Sequence, residues 1–108
     1  MKLFDFIETA RFTKRIVKLL SDDEYAKIQL FICEFPDFGK IIKGSGGMRK
    51  ARCRIEGRGK SGGARIIYYW VVSREQILML DIYAKNEKED LSPDEIKMLR
   101  REVEELLK

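Results

Sequence analysis

Histidine is absent from this chain of 108 residues, and its absence narrows the chemistry open to the protein. Catalytic arrangements that pair a serine or cysteine nucleophile with a histidine base are excluded. If the protein is an enzyme, then lysine, arginine, tyrosine, aspartate or glutamate must move the protons.

Cysteine is also scarce. Cys33 and Cys53 are the only two, and they do not form a C-x-x-C pair. Without histidine, two cysteines so far apart cannot supply the usual ligand set of a zinc site. We therefore expect no metal and no cofactor, and interpret both cysteines as buried free thiols.

Long apolar runs are missing too. No stretch approaches the roughly 18 residues that a membrane-spanning helix needs. The segment Met1 to Phe6 meets an acid at Asp5 and has no long apolar core, so we expect no signal peptide and a cytoplasmic location. With 44% hydrophobic and 37% charged residues, the composition fits one globular domain over residues 1–108.

Positive charge is concentrated in one segment. Between Lys40 and Arg65 lie nine basic residues and a single acid, Glu56, which gives this segment a net charge of +8. Because the whole chain carries +4, the remainder carries −4. Such a block in an otherwise acidic chain favours a site for a polyanion over a merely solvated surface.

The hydrophobic pattern predicts the order β-α-α-β-β-β-α. An apolar strand is expected at 3–7, and helices are expected to begin at Thr9 and at the capping box Ser21-x-x-Glu24. A connector over 38–47 ends in clustered glycines. Strands over 48–55, 64–72 and 77–83 predict an antiparallel meander, and Ser92-Pro93 predicts the start of a last helix. We predict an α+β fold, with a mostly antiparallel sheet packed on a helical hairpin.

The strand over 48–55 alternates with period two. Ala51, Cys53 and Ile55 should face a core, whereas Lys50, Arg52 and Arg54 should face the other way, about 7 Å apart. That spacing resembles the spacing of phosphates along a nucleic-acid strand, and Arg65 could reach the same face. The segment 57–63 is glycine-rich, but it lacks the Walker spacing and a following helix, so we interpret it as a hairpin turn.

Three segments carry a resemblance to a known family. They are GSGGMRKARCRIEGRGKSGGARIIYYW, ILMLDIYAKNEKEDLSPDEIKML and the helical SDDEYAKIQLFICEFPDFGKII. Together they cover most of the chain and resemble the HigB branch of the RelE/ParE toxin superfamily. The resemblance implies a small sheet on a helical hairpin, ribosome-dependent mRNA cleavage without a metal, and a cognate antitoxin with a DNA-binding helix-turn-helix domain.

The resemblance also implies roles for individual residues. The expected reaction is attack of an RNA 2′-hydroxyl on the adjacent phosphate. Lys50 and Arg52 match the family's two strand cations, one of them a candidate general base, and Arg65 matches the arginine that stabilises the transition state. Lys85 lies where a further basic catalytic residue is found. The predicted RNA contacts are Arg49, Arg54, Arg58, Lys60, Tyr68 and Lys88. Tyr68, like Tyr69, Trp70 and Tyr83, could either stack on bases or lie in the core.

The chain departs from the family pattern at two places. Asn86 follows Lys85 where some relatives carry arginine, and 91–93 reads Leu-Ser-Pro where some carry a tyrosine acid or base. The sequence therefore does not identify the proton donor. Two other functions stay open: a ParE-like gyrase-inhibiting toxin that is not a ribonuclease, and an RNA-binding module without activity.

Overall fold

A computed structural model describes residues 2–55 and 63–108 of the chain. Within these ranges five strands and three α-helices follow one another in the order β-α-α-β-β-β-β-α, and a short 3-10 helix, Val72–Arg74, joins the last two strands. They are β1 (Asp5–Glu8), α1 (Ala10–Leu19), α2 (Asp22–Glu34), β2 (Lys40–Ile41), β3 (Arg49–Cys53), β4 (Ala64–Val71), β5 (Gln76–Ala84) and α3 (Pro93–Leu106). The predicted α+β class is confirmed, and β2 is a strand that the sequence analysis did not predict.

Side-chain hydrogen bonds at Ser21 and Ser92 determine where α2 and α3 begin. The hydroxyl of Ser21 accepts a hydrogen bond from the backbone N–H of Glu24, and the Glu24 carboxylate accepts one in return from the Ser21 N–H. Ser92 and Glu95 form the same capping box at α3. Each box satisfies two backbone donors that a helix start leaves without partners.

The strands form one sheet in the order β1-β5-β4-β3-β2. The predicted meander of β3, β4 and β5 is confirmed as antiparallel, and the short β2 extends it by pairing with β3. At the other edge β1 runs parallel to β5, with Asp5 opposite Gln76. A bulge between Ile67 and Tyr68 shifts the β4–β5 register by one residue.

Two layers of helix cover the two faces of the sheet. On one face the α1–α2 hairpin buries Phe12, Ile16 and Ile32 against strand residues such as Ile66. On the other face Leu99 and Val103 of α3 pack with Ile67 and Leu78. Since each strand sends alternate side chains to opposite faces, this arrangement decides which strand residues remain available for a site.

The predicted alternation in β3 is confirmed. Ala51 and Ile55 are buried and belong to the core under the helical hairpin, and the half-buried Cys53 packs against that core.

Within the part of the chain that the structure describes, no helix is long and apolar enough to cross a membrane.

Candidate functional site

A row of three side chains crosses the sheet on the face that also carries α3. Arg52 of β3 is the register partner of Arg65 of β4, and Arg65 is the register partner of Tyr83 of β5. Register partners on antiparallel strands have Cβ atoms about 4.5–5.5 Å apart. We call these three residues the cross-sheet row.

The row passes from solvent into the protein. Arg52 is exposed at the β3 end, Arg65 is only 4% exposed, and Tyr83 is fully buried. The guanidinium of Arg65 therefore lies in an environment from which most water is excluded. A charge in such surroundings acts on a nearby phosphate more strongly than it would in water.

Lys50 lies two residues before Arg52 on the same face of β3, with Lys40 of β2 as its register partner. Its ammonium group forms an ion pair with the carboxylate of Asp90, in the connector between β5 and α3. This pair and the charge of Arg65 lower the pKa of the Asp90 carboxyl below its ordinary value. The structure thus places Lys50, Arg52 and Arg65 on one face of the neighbouring strands β3 and β4.

The connector over 85–92 contacts Tyr83, the buried end of the cross-sheet row. The Tyr83 hydroxyl donates a hydrogen bond to the Glu89 carbonyl at 3.3 Å. The Lys88 ammonium lies 4.9 Å from the centre of the Tyr83 ring and pairs with Glu95. Burial, with the nearby Asp90 charge, raises the pKa of Tyr83 to about 12, so the phenol is protonated at neutral pH.

Lys85 and Arg54 lie at the margins of the site. Lys85 directly follows β5, and its backbone N–H donates to the Gly63 carbonyl at 2.8 Å, next to the start of β4. This bond places Lys85 beside the first residues of β4, the strand that carries Arg65. Arg54 follows the end of β3, is exposed, and lines a groove of about 270 Å³ with Arg52 and residues of α2.

Two predicted RNA-binding residues point away from this face. Tyr68 is fully buried under the helical hairpin, where its hydroxyl donates to the Pro36 carbonyl at 2.8 Å and accepts from the Gly39 N–H at 2.9 Å. The prediction that Tyr68 contacts RNA is therefore wrong. Its position has a physical reason: it is an odd number of residues from Arg65, so the two side chains leave opposite faces of β4.

The prediction for Arg49 is corrected for the same reason, because neighbouring side chains of a strand leave it on opposite faces. It precedes Lys50 by one residue, and its guanidinium donates to the carbonyl oxygens of Asp37 at 3.0 Å and Gly39 at 2.8 Å. These bonds fix the connector between α2 and β2, so the side chain is used in holding the fold and does not join the cross-sheet row. The predicted contacts Arg58 and Lys60 lie outside the described residues.

Two members of the site were not assigned by sequence reasoning. Asp90 lies among several charged residues of a polar connector, and no local pattern distinguishes it from Glu89 as the partner of Lys50. Tyr83 is one of the aromatic residues for which the sequence leaves base stacking and core packing both open. Strand parity could have placed it, because Tyr83 precedes Lys85 by two residues along an extended segment.

The chemistry of the arrangement is that of an anion site without a strong nucleophile. Burial raises the pKa of the Cys53 thiol to about 11, so little thiolate is present at neutral pH. What the face offers is two arginines and a lysine on neighbouring strand positions, together with a protonated phenol. Such groups can hold a phosphodiester and stabilise the extra negative charge of a pentavalent phosphorus.

Comparison with known proteins identifies a family and a similar fold. A family model described as the RelE toxin of the RelE/RelB toxin–antitoxin system matches residues 39–108. Among solved structures, a mutant of the E. coli toxin RelE in the free state is similar, with a TM-score of 0.64 and 15% sequence identity. That match covers 94% of this chain and 97% of the other.

Proposed function

The chain belongs to the RelE toxin family, and from that premise we propose that it is an endoribonuclease that cleaves mRNA on the ribosome and so inhibits translation. The proposal includes cleavage without a metal, a cytoplasmic location, where its ribosomal substrate is found, and membership of the HigB-like branch. The single observation that supports it best is the register that aligns Arg52, Arg65 and Tyr83 across three strands.

The proposed reaction needs a site that favours a phosphorane over a phosphodiester. When the 2′-hydroxyl attacks the adjacent phosphate, negative charge grows on the non-bridging oxygens. A guanidinium can donate two parallel hydrogen bonds to two such oxygens, which a lysine cannot do. We assign this role to Arg65, because its burial gives its charge the least competition from water.

Arg52 and Lys50 have a second role in this proposal. Both lie nearer the open edge of the sheet than Arg65, so they would bind the phosphates that flank the scissile one. Lys85, at the end of β5, would contribute a further cation near the leaving group. Arg54 and Lys88 would extend the binding surface along the RNA strand.

Tyr83 contributes a protonated phenol. Because its pKa is about 12, it is an inefficient base at neutral pH, and its buried hydroxyl already donates to the Glu89 carbonyl. We therefore assign Tyr83 to positioning: it holds the connector that carries Lys88 and Asp90 against the site. Proton transfer then falls to Lys50 or Arg52, one of which is the candidate general base, or to the ribosome-bound RNA itself.

Membership of the family implies an antitoxin as a partner. We further propose that this partner carries a DNA-binding helix-turn-helix domain. Copurification of the toxin with the product of an adjacent gene, followed by restoration of translation in its presence, tests this part of the proposal.

The enzymatic proposal is tested by adding the purified protein to translating ribosomes and mapping mRNA ends. We expect new 3′ ends inside codons with the wild type, and their loss with Arg65→Gln. Intact message together with trapped cleaved DNA would support a gyrase inhibitor instead. Intact message, together with an amount of bound RNA that rises with the amount of added protein, would support a binding module without activity.

A further inference from the structure

An acidic side chain lies on the cationic site in the free protein. Asp90 pairs with Lys50, and the two groups differ in their exposure: 69% for the Asp90 side chain and 29% for that of Lys50. The lysine is therefore half-buried in the site, and the carboxylate covers it from the solvent side.

The main chain that carries the carboxylate is held in place by contacts of the neighbouring residues. Glu89 receives the Tyr83 hydroxyl on its carbonyl, and Lys88 is fastened to Glu95 and to the face of the Tyr83 ring. Both contacts fix the main chain just before Asp90. After it, Ser92 caps α3. The connector thus presents Asp90 to Lys50 from a supported backbone, while the carboxylate itself remains free to turn into water.

A cleft surrounds the pair. It has a volume of about 350 Å³ and combines three lysines with an apolar wall. Its lining includes Lys40, Lys43, Lys50, Asp90, Leu91 and Ile96. Three cations against one carboxylate leave an excess of positive charge, and the apolar wall suits the flat face of a base. A nucleotide has this combination of a phosphate and an apolar ring face.

The carboxylate interacts with more than one member of the site. The charges of Lys50 and Arg65 both lower the pKa of Asp90, and the charge of Asp90 in turn contributes to the raised pKa of Tyr83. Asp90 is therefore electrostatically coupled to two cations that we assign to RNA.

We propose that Asp90 occupies, in the free protein, the position that an RNA phosphate takes on Lys50, and that RNA must displace it in order to bind. This inference rests on the proposed function, because it specifies how the same site is controlled. A carboxylate and a phosphate oxygen are both acceptors for the Lys50 ammonium, so one replaces the other without leaving the lysine unpaired. Asp90 thus lowers the affinity for RNA by competing with it for Lys50, and it is not a catalytic residue.

The test is RNA affinity in the Asp90→Asn variant of the full chain. The probe is a fluorescent single-stranded RNA of 12 nucleotides with 2′-O-methyl groups, which blocks 2′-hydroxyl attack and so separates binding from cleavage. Since exposed ion pairs are worth little, we expect Asp90→Asn to bind about 2- to 5-fold more tightly at low salt. The gain should shrink at high salt, where both the pair and the phosphate contact are screened.

Glu89→Gln is the matched control. It removes the same charge one residue away and keeps the carbonyl that receives the Tyr83 hydroxyl. It should raise affinity by less than half the effect of Asp90→Asn. The Lys50→Ala background provides a second control: there Asp90→Asn should raise affinity no more than Glu89→Gln does, because the pair has already been removed.

Three results would overturn the inference. They are equal affinities for Asp90→Asn and Glu89→Gln, a loss of affinity in Asp90→Asn, or a gain that persists in full without Lys50. Failure of the proposed function is read separately, as absence of mRNA cleavage by the wild type on ribosomes. Circular dichroism melting of each variant verifies that the compared proteins are folded.

Discussion

Arg52 and Arg65 lie directly opposite each other on β3 and β4, so the sheet holds two like charges side by side. Like charges in this relation destabilise a sheet. An anion between the two guanidinium groups would relieve the repulsion, so the proposed phosphate site predicts that RNA stabilises the folded protein.

The first prediction concerns this repulsion. Binding of the 2′-O-methyl RNA should raise the melting temperature, by an amount equivalent to about 2.7 kcal/mol when the RNA is at 100 times its Kd. Arg52→Gln should melt no lower than the wild type without RNA and should gain less from RNA. Thermal denaturation measures both. An unchanged melting temperature at saturating RNA would contradict the prediction.

The second prediction concerns Arg65 in catalysis. Because this side chain is 4% exposed, alanine would leave a void, and glutamine or lysine gives a cleaner test. Arg65→Gln should lower the rate of mRNA cleavage by about 10²–10³-fold, and Arg65→Lys should restore only part of it. The exposed Lys18 of α1 belongs to the helical hairpin, which covers the face of the sheet opposite to the cross-sheet row. Lys18→Gln should therefore leave the rate unchanged. Cleavage at the wild-type rate by a folded Arg65→Gln would place the active site elsewhere.

The third prediction concerns salt. Each phosphate neutralised on single-stranded RNA adds about −0.7 to the slope of log affinity against log salt concentration. Three cations on one face, Lys50, Arg52 and Arg65, should therefore give a slope of about −2 or steeper. Arg52→Gln should make the slope shallower by about 0.7. Fluorescence anisotropy at several salt concentrations measures it, and a flat affinity would remove the polyanion site.

The fourth prediction separates Tyr68 from the site. Tyr68→Phe removes the hydroxyl that serves both the Gly39 N–H and the Pro36 carbonyl. Leaving these groups unpaired should cost about 1–3 kcal/mol of unfolding free energy, measured by urea denaturation. RNA affinity per folded molecule should not change, since the ring lies under the helical hairpin. A loss of RNA binding with unchanged stability would contradict the conclusion that Tyr68 does not contact RNA.

The fifth prediction concerns a buried acid. Asp81 is 2% exposed and accepts hydrogen bonds from Arg15 at 3.0 Å and from the Ile82 N–H at 2.8 Å. Burial raises its pKa above the ordinary value of 3.8, although Arg15 opposes the shift. A carboxyl whose pKa is higher in the folded state stabilises the protein below its unfolded pKa, and this contribution is lost as the pH rises through the folded pKa.

The variant Asp81→Asn removes that titration and keeps an oxygen acceptor for Ile82. The unfolding free energy of the wild type should therefore fall relative to Asp81→Asn as the pH rises from about 4 toward 7. Urea denaturation at several pH values measures the difference. A difference that stays constant, or that grows in favour of the wild type, would contradict the assigned direction.

The features that the sequence predicted correctly are mostly local ones. The capping boxes at Ser21 and Ser92 join residues three apart, and both are confirmed. The faces of β3 follow from alternation within five residues. Information of this kind is carried by neighbouring residues, whatever the rest of the chain does.

The features that could not be predicted join distant residues. The strand Lys40–Ile41 has two residues, too few for any periodicity, and depends on its pairing with β3. The Lys50–Asp90 pair spans 40 positions, and nothing near Asp90 identifies it as the partner. The prediction for Tyr68 is wrong for a different reason: an aromatic side chain suits base stacking and core packing alike, and only its odd spacing from Arg65 indicates the core face.

The pairing of β1 with β5 has a consequence in time. Asp5 is synthesised 71 positions before its partner Gln76, and the same β5 strand supplies Tyr83 to the cross-sheet row. Contacts so far apart along the chain close late in folding. A nascent chain emerging at about 5–20 residues per second therefore has no assembled site until β5 is available. The proposed activity therefore cannot appear before β5 has been synthesised, and until then a partner protein can meet a chain whose cross-sheet row is incomplete.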